Sequence, residues 1–142
     1  MENAMNKTIR FGVSLDSDLL KIFDELLASK GYTNRSEAVR DLIRSSFIEE
    51  KWDEEEDASG VLILVYDHHR NDLARKLTNT QHEFYDIITT TLHFHMDHAN
   101  CLEIIVMKGS PEKLRNLSRR LISATGVKYG VFNPVPRGRE FN

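Results

Sequence analysis

The segment TLHFHMDHANC, residues 91–101, contains three histidines (His93, His95 and His98) and the only cysteine of the chain, Cys101. On a β-strand, side chains two residues apart project from the same face, so His93 and His95 would point together. A turn after Met96 would bring the chain back and place Cys101 opposite His95 in a hairpin. Two imidazoles and a thiol would then converge, a donor set that suits late first-row divalent metals rather than magnesium or calcium.

A metal held by these three side chains needs a fourth ligand. His82, at the end of a predicted helix in NTQHEFYD, is the candidate, from the same chain or from a neighbouring copy. A tetrahedral site would indicate Zn(II), and a tetragonal or planar one Ni(II) or Cu(II). We expect His98 to be solvated in the turn. For His68 and His69 a surface loop is the default and a secondary metal site the alternative.

The composition indicates a soluble globular protein in a reducing compartment. The formal net charge of −3 argues against a broad nucleic-acid-binding surface but leaves room for a small one. The longest apolar run, VLILVY at 61–66, falls far short of the ~20 residues that span a bilayer. The N-terminus has no apolar segment typical of a secretion signal, and one cysteine cannot form an intramolecular disulfide. We therefore expect a cytoplasmic protein without a membrane partner.

The second half of the chain must position the histidines, and its pattern predicts a ferredoxin-like order of elements. Apolar alternation predicts strands, and apolar residues at helical spacing predict helices. The order strand, helix, strand, strand, helix, strand is the βαββαβ unit. The predicted elements are strand 61–67, helix 71–81, strand 85–96, strand 101–109, helix 111–125 and strand 127–133.

The first half predicts a short strand followed by two helices. RFGVSL, residues 10–15, alternates apolar and polar residues, and DSDLLKIFDELLASKG and TNRSEAVRDLIRSSFIEE have helical periodicity. Asn34 can cap the second helix, and Glu37 completes a capping box. The fold class is thus α+β. The predicted domains are a strand–helix–helix domain at residues 1–50, an acidic linker at 51–60, a metal-binding domain at 61–134 and a flexible tail at 135–142.

The N-terminal strand needs a partner, because a lone strand has unpaired edges. Two copies could pair antiparallel, with Phe11, Val13 and Leu15 packed on the helices. The opposite face would then present Arg10, Gly12 and Ser14, and a two-stranded ribbon fits the major groove of DNA. The helix start at Asn34 and Arg35 could bind phosphate, as could Lys7, Arg40 and Arg44. The alternative is a helical hairpin that only dimerises.

Both halves together resemble the NikR family of nickel-responsive ribbon-helix-helix regulators. GYTNRSEAVRDLIRS resembles the second helix of its DNA-binding domain, whereas TQHEFYD, TLHFHMDHANCLEI and VMKG resemble its metal-domain motifs. The H-x-H-x5-C spacing with an upstream TQH is the specific part, since other ribbon-helix-helix proteins share the RSEA start. The resemblance covers nearly the whole chain.

The resemblance implies an operator-binding regulator that represses nickel-uptake genes and is not an enzyme. It implies a homotetramer with a central core of ACT-like βαββαβ domains flanked by two DNA-binding dimers. One square-planar Ni(II) per subunit would be held by His93, His95 and Cys101 of one subunit and His82 of another. Arg10, Gly12 and Ser14 would be the base-reading positions. Glu37 and Asp41 match positions where the family binds a second cation, typically potassium.

The sequence departs from the family pattern at two places. Family members usually have Thr where this chain has Gly12, which affects the expected operator. They often have further histidines after TQH, where this chain has Glu83, Phe84 and Tyr85. Other functions compatible with the residues are a ribbon-helix-helix regulator whose ACT-like domain senses another metal or an amino acid, a zinc metalloenzyme, and a nickel-storage protein.

Overall fold

A computed structural model of the chain describes residues 8–138, apart from the side chain of Asn71. The chain divides into two compact units between Leu42 and Ile43. Among the described residues, no helix is both long enough and apolar enough to cross a bilayer. The predicted phosphate contact Lys7 and residues 139–142 of the predicted tail lie outside the described residues.

The first unit contains helix α1 (Ser17–Ser29) and the start of helix α2 (Arg35–Asp53). Asp16 Oδ1 caps α1 by accepting the Leu19 N–H at 2.8 Å. The helix ends at Ser29 with Lys30 as its C-cap, and Gly31 follows with φ 76°, a left-handed conformation that glycine adopts without strain. Asn34 Oδ1 accepts the Glu37 N–H at 2.9 Å, so the predicted cap of α2 is confirmed.

Residues 10–15 lie outside every strand of the part of the chain that the structure describes, contrary to the strand predicted there. A β-strand is defined by hydrogen bonds to a neighbouring strand, and residues 8–42, the described part of this unit, contain no strand that could pair with the segment. Its apolar side chains are largely exposed; Phe11 is 68% and Val13 is 65% accessible.

The second unit confirms the predicted βαββαβ order. The elements are β1 (Ala58–Asp67), α3 (Asn71–Glu83), β2 (Ile88–His95), β3 (Asn100–Gly109), α4 (Pro111–Ile122) and β4 (Val127–Val135). The strands form one antiparallel sheet in the order β2-β3-β1-β4. Pro111 lies in the first turn of α4, behind the Ser110 cap. Strand β2 is an edge strand, and its side chains from Thr89 to His95 are exposed.

The core of this unit lies on one face of the sheet. Alternate residues of β1 and β3 are buried there, and α4 packs on both of these strands. The apolar seams of α3 and α4 complete the core. The largest fully buried side chains are Trp52, Leu62, Leu64, Leu73, Leu77, Ile105, Met107, Leu114, Leu117 and Leu121.

Several element boundaries differ from the prediction. Residues 51–60, predicted as a linker, include the end of α2 and the start of β1, and Trp52 is buried with its Nε1 donating to Ser59 O at 2.6 Å. β1 begins at Ala58, and Gly60 faces the core where a Cβ would collide with the Phe132 ring. β4 continues to Val135, so the predicted tail begins inside a strand.

The other differences are smaller. The strand predicted at 85–96 begins only at Ile88, since residues 84–87 form a turn closed by the Ile87 N–H on Phe84 O at 3.1 Å. The helix predicted at 71–81 continues to Glu83, and the one predicted to end at residue 125 ends at Ile122.

Candidate metal centre

The β2–β3 hairpin brings His95 and Cys101 together at the edge of the sheet. The two residues are paired in register, and His95 Nδ1 lies 3.2 Å from Cys101 Sγ. His93, two residues earlier on the same face, is paired with Glu103. Its ring centroid lies 5.8 Å from that of His95. His93 and His95 thus share one strand face with Cys101, but His93 belongs to neither cluster of potential metal ligands found among the described residues.

The turn of this hairpin is fixed by Asp97. Its Oδ1 accepts the backbone N–H groups of Ala99 and Asn100, each at 2.8 Å. Both of its oxygens also accept from the Asn100 side-chain amide. These hydrogen bonds lower the pKa of Asp97 to about 2, and those from Asn100 have the largest effect. The turn therefore keeps an ionised carboxylate two residues from His95.

Cys101 has no accessible surface, whereas His93 and His95 are exposed. Burial raises the pKa of the Cys101 thiol, and the negative charges of Glu103, Asp67 and Asp97 raise it further. The sulfur is thus protonated at neutral pH in the metal-free chain. A cation would favour its thiolate, which is the form that ligates metals.

A third imidazole, that of His68, lies next to His95 and Cys101. One ligand atom from each of His68, His95 and Cys101 lies within 4.8 Å of the others. The ring centroids of His68 and His95 are 4.6 Å apart. The sequence predicted a surface loop for His68. Its proximity to Cys101 depends on the register between β1 and β3, which pairs Tyr66 with Cys101. The available signal was that His68 follows Tyr66 by two residues and so continues the same face.

His82 lies in the last turn of α3 and is exposed. It is absent from both clusters of potential metal ligands found among the described residues. The residue before it, Gln81, donates from Nε2 to Glu103 Oε1 at 2.6 Å. This bond ties the end of α3 to β3 two residues from Cys101, although His82 itself does not join the cluster within one chain.

Glu103 is the centre of a buried hydrogen-bond network that sequence reasoning missed. It is 5% exposed and accepts from Tyr66 Oη at 2.7 Å as well as from Gln81. Burial and the bond to Glu103 raise the pKa of Tyr66, so that its hydroxyl remains a donor. The sequence did contain a sign of this network. Glu103 is an acidic residue at a position of β3 that alternation places toward the core, opposite His93.

The donors of this cluster fit a late first-row divalent metal. An imidazole nitrogen and a sulfur 3.2 Å apart match adjacent ligands of one ion, given metal–ligand bonds of about 2.0–2.3 Å. Imidazole and thiolate are also the ligands that such metals prefer over carbonyl or water. His95 and Cys101 would hold the ion, with His93 and His68 as the neighbouring imidazoles.

Comparisons with known proteins identify the family. Residues 59–134 match the family described as "NikR C terminal nickel binding domain". Proteins named "Putative nickel-responsive regulator" are similar over nearly their whole length: that of Desulfovibrio desulfuricans is 54% identical over 96% of this chain and 99% of its own. That of Nitratidesulfovibrio vulgaris is 52% identical with the same coverage. The chain belongs to the NikR family of nickel-responsive regulators.

Membership in the NikR family makes the chain a transcriptional regulator and not an enzyme, and nothing supports the zinc-enzyme alternative. A solved structure of an uncharacterized protein from Thermotoga maritima shares the fold. It has a TM-score of 0.52 and 20% identity, and it covers 56% of this chain and 99% of its own.

The N-terminal unit of this NikR-family chain matches "Ribbon-helix-helix protein, copG family" over residues 9–46. The predicted base-reading residues Arg10, Gly12 and Ser14 are exposed ahead of α1, and no atom of the described residues lies within 4 Å of a Cβ built on Gly12. Asn34 caps α2. Arg35 forms two bonds with the Asp24 carboxylate, at 2.8 and 2.7 Å.

The two residues predicted for a second cation both accept hydrogen bonds. Thr33 Oγ1 donates to Glu37 Oε2 at 3.4 Å, and Tyr32 Oη donates to Asp41 Oδ2 at 2.9 Å. The bond to Asp41 raises the pKa of Tyr32. Each carboxylate thus has a local structural role.

Proposed function

We propose that this protein binds operator DNA when Ni(II) occupies its metal centre, and that it represses nickel-uptake genes in the cytoplasm. The observation that carries the proposal is the His95–Cys101 pair at 3.2 Å, with His93 on the same strand face, in a chain of the NikR family. Nickel is the ion that the protein senses, and the ribbon-helix-helix unit is the part that binds DNA in response.

One Ni(II) per subunit is held by His93, His95 and Cys101, and His82 of a second subunit completes the set. The exposure of His82 in the last turn of α3 supports this role, because an exposed imidazole is available to a neighbouring copy. Nickel supplies a link between two subunits and favours the thiolate of Cys101. The ion can regulate DNA binding only by binding the DNA-competent arrangement more tightly than the alternatives.

The protein assembles as a homotetramer, a dimer of dimers. Two exposed apolar surfaces support this. Phe11 and Val13 are exposed in the first unit, and Leu92, Phe94 and Tyr129 are exposed on the sheet of the second. Leu92 and Phe94 point away from the face of His93 and His95, because they alternate with them along β2. Unpartnered apolar surface of this kind marks protein–protein contacts.

In the dimer, Arg10, Gly12 and Ser14 of two paired strands read bases in the major groove, and Asn34 and Arg35 contact phosphate. The exposed Arg35–Asp24 ion pair does not prevent this. Exposed ion pairs of this kind add little to stability, so a DNA phosphate can compete for the guanidinium. Glu37 and Asp41 bind a second cation of the potassium type, because carboxylate oxygens are ligands that hard cations accept.

The experiment that tests the function is a nickel titration of DNA binding, measured by fluorescence anisotropy on promoter fragments of nickel-transport genes. We expect nickel to tighten specific binding by roughly 5–150-fold, the range of ordinary allosteric coupling. Cys101→Ser should remove this response and keep the far-UV circular dichroism of the wild type. Arg10→Ala should weaken specific binding by about 1–3 kcal/mol per base contact and leave nickel binding unchanged.

Each variant is the control for the other. Cys101→Ser should remove the nickel response and Arg10→Ala should remove specific DNA contacts, and each should spare the function that the other removes. A Cys101→Ser protein that still responds fully to nickel would contradict the metal assignment. An Arg10→Ala protein that loses nickel affinity would contradict the separation into a sensing and a DNA-binding unit.

A further inference from the structure

The last turn of α3 is held on both sides of His82, while the imidazole itself is exposed. On one side, Gln81 Nε2 donates to the buried Glu103 of β3 at 2.6 Å. On the other side, Glu83 Oε2 accepts a hydrogen bond from Arg120 Nη1 of α4 at 2.7 Å. The residues before and after His82 are therefore tied to two different elements.

Arg120 contacts the end of α3 at a second point. The central carbon of its guanidinium lies 5.3 Å from the centre of the Phe84 ring, which is the distance of a cation–π contact. Phe84 is the C-cap of α3, where its N–H bonds to Gln81 O at 3.0 Å, and its ring packs against the core. One side chain of α4 thus holds both residues that follow His82.

The turn after the helix is tied to the same part of the unit. Lys113 Nζ of α4 lies 2.6 Å from Asp86 Oδ2. The next residue, Ile87, is buried, and its carbonyl oxygen accepts the Lys108 N–H at 2.8 Å. The path of the chain from α3 into β2 is therefore set by contacts among its own residues, on either side of the exposed imidazole.

Contacts on both sides of His82 fix how the last turn is rotated about the helix axis. Successive side chains of an α-helix point about 100° apart, so the directions of Gln81 and Glu83 determine the direction of His82. With one contact alone the helix could unwind from its C-terminus, where the last carbonyls have no partner within the helix. The Glu83–Arg120 pair is about half exposed and adds little to stability, but a weak contact is enough to select an orientation.

We propose that Arg120 is a positioning residue for the metal centre, which acts through Glu83 and Phe84 to set the direction in which α3 presents His82 to a neighbouring subunit. Arg120 itself does not touch the metal. A ligand whose direction is set in advance loses less conformational freedom when it binds, so the ion is held more tightly. This role rests on the proposed function, since it requires His82 to be the fourth ligand.

The test is a Ni(II) titration of the full-length protein in competition with a chelator, followed by the thiolate-to-nickel absorption band. Arg120→Gln removes the charge and the contact with Phe84. It should weaken nickel binding by roughly three- to tenfold, which is less than the roughly 10–100-fold loss caused by removing a direct partner of a metal ligand. Its far-UV circular dichroism and thermal melt without metal should match those of the wild type, because the pair is exposed.

Arg119→Gln is the matched control, since it makes the same replacement at the neighbouring exposed position of α4. Arg119 donates its Nε to Arg115 O within the helix, so this variant should bind nickel as the wild type does. Exchange of the two charges provides a rescue. Glu83→Arg and Arg120→Glu should each weaken nickel binding, and the double variant should recover part of the loss, because the ion pair forms again without the contact to Phe84.

His82→Ala separates positioning from general structure and from the proposed function. It should weaken nickel binding, and adding Arg120→Gln to it should cause no further loss, because Arg120 acts through His82. An equal loss in both backgrounds, or wild-type affinity in Arg120→Gln while His82→Ala is weakened, would overturn the positioning role and leave the nickel centre intact. Wild-type affinity in His82→Ala would instead contradict the inter-subunit ligand of the proposed function, and the positioning role with it.

Discussion

At the scale of single residues, the protonation state of Cys101 controls the chemistry of the metal centre. Its thiol is buried, and three carboxylates act on it with unfavourable charge. The same surroundings that hold the proton in the metal-free chain favour a cation beside the sulfur. The residue is thus inert as a thiol and becomes a ligand only together with a metal.

We predict that each nickel ion releases the Cys101 proton when it binds at neutral pH. The pKa of this thiol is raised, so the proton is still present at pH 7, and the apparent nickel affinity should rise by about tenfold per pH unit until the pH reaches that pKa. Calorimetry in buffers of different ionisation enthalpy measures the released protons. Cys101→Ser should lack this release. Nickel binding to the wild type without proton release would mean that the thiolate is already formed.

At the scale of elements, hydrogen bonds to Glu103 connect β1, α3 and β3. It lies on β3 and accepts from Tyr66 on β1 and Gln81 on α3, both at hydrogen-bonding distance. Because Gln81 precedes His82, this network fixes the turn of α3 that presents the proposed inter-subunit ligand. The carboxylate therefore connects the local order of α3 to the hairpin that carries Cys101.

We predict that Glu103→Ala lowers the free energy of unfolding by roughly 2–4 kcal/mol, because the buried Tyr66 hydroxyl and the half-buried Gln81 amide lose their acceptor. Glu103→Gln should cost less than Glu103→Ala, since its amide oxygen still accepts from Gln81 and only the Tyr66 hydroxyl proton loses its acceptor. Urea denaturation of the metal-free variants measures both effects. Nickel affinity should fall in the same order, and equal affinity in the two variants would show that the network does not position the metal ligands.

The elements also show what the sequence could predict. The hairpin with His93, His95 and Cys101 was predictable because its strand alternation and turn are local in sequence. The place of His68 was not, because it depends on pairing between β1 and β3, which are more than 30 residues apart. Likewise, Trp52 looked like part of an acidic linker, and only its packing against Phe132 shows that it belongs to the core.

At the scale of the whole molecule, the first unit leaves much of its apolar surface uncovered. Its large exposed side chains include those of the predicted strand and of both helices, and only Leu27 and Ala38 of its described apolar residues are buried. A unit this small cannot bury enough surface alone. The alternation from Ile9 to Leu15 therefore predicts that a second copy covers the same face.

We predict that Val13→Asn and Ser14→Asn, the same replacement at neighbouring positions, have opposite consequences. In a paired ribbon Val13 is buried in each copy, which is worth roughly 1.5–3 kcal/mol per side chain and twice that per dimer. Ser14 faces DNA instead. Val13→Asn should therefore lose helix content at a lower temperature in far-UV circular dichroism. Ser14→Asn should melt as the wild type does and lose only specific DNA binding.

Protein concentration provides the control for this pair, because a transition that includes dimer dissociation moves to higher temperature as the concentration rises. The early transition of Val13→Asn should shift in this way, whereas unfolding within a single subunit would not. Indistinguishable melts for the two variants would contradict the ribbon, since they would place Val13 and Ser14 in equivalent surroundings. DNA binding that survives Val13→Asn unchanged would contradict it equally, because the ribbon forms only between two copies.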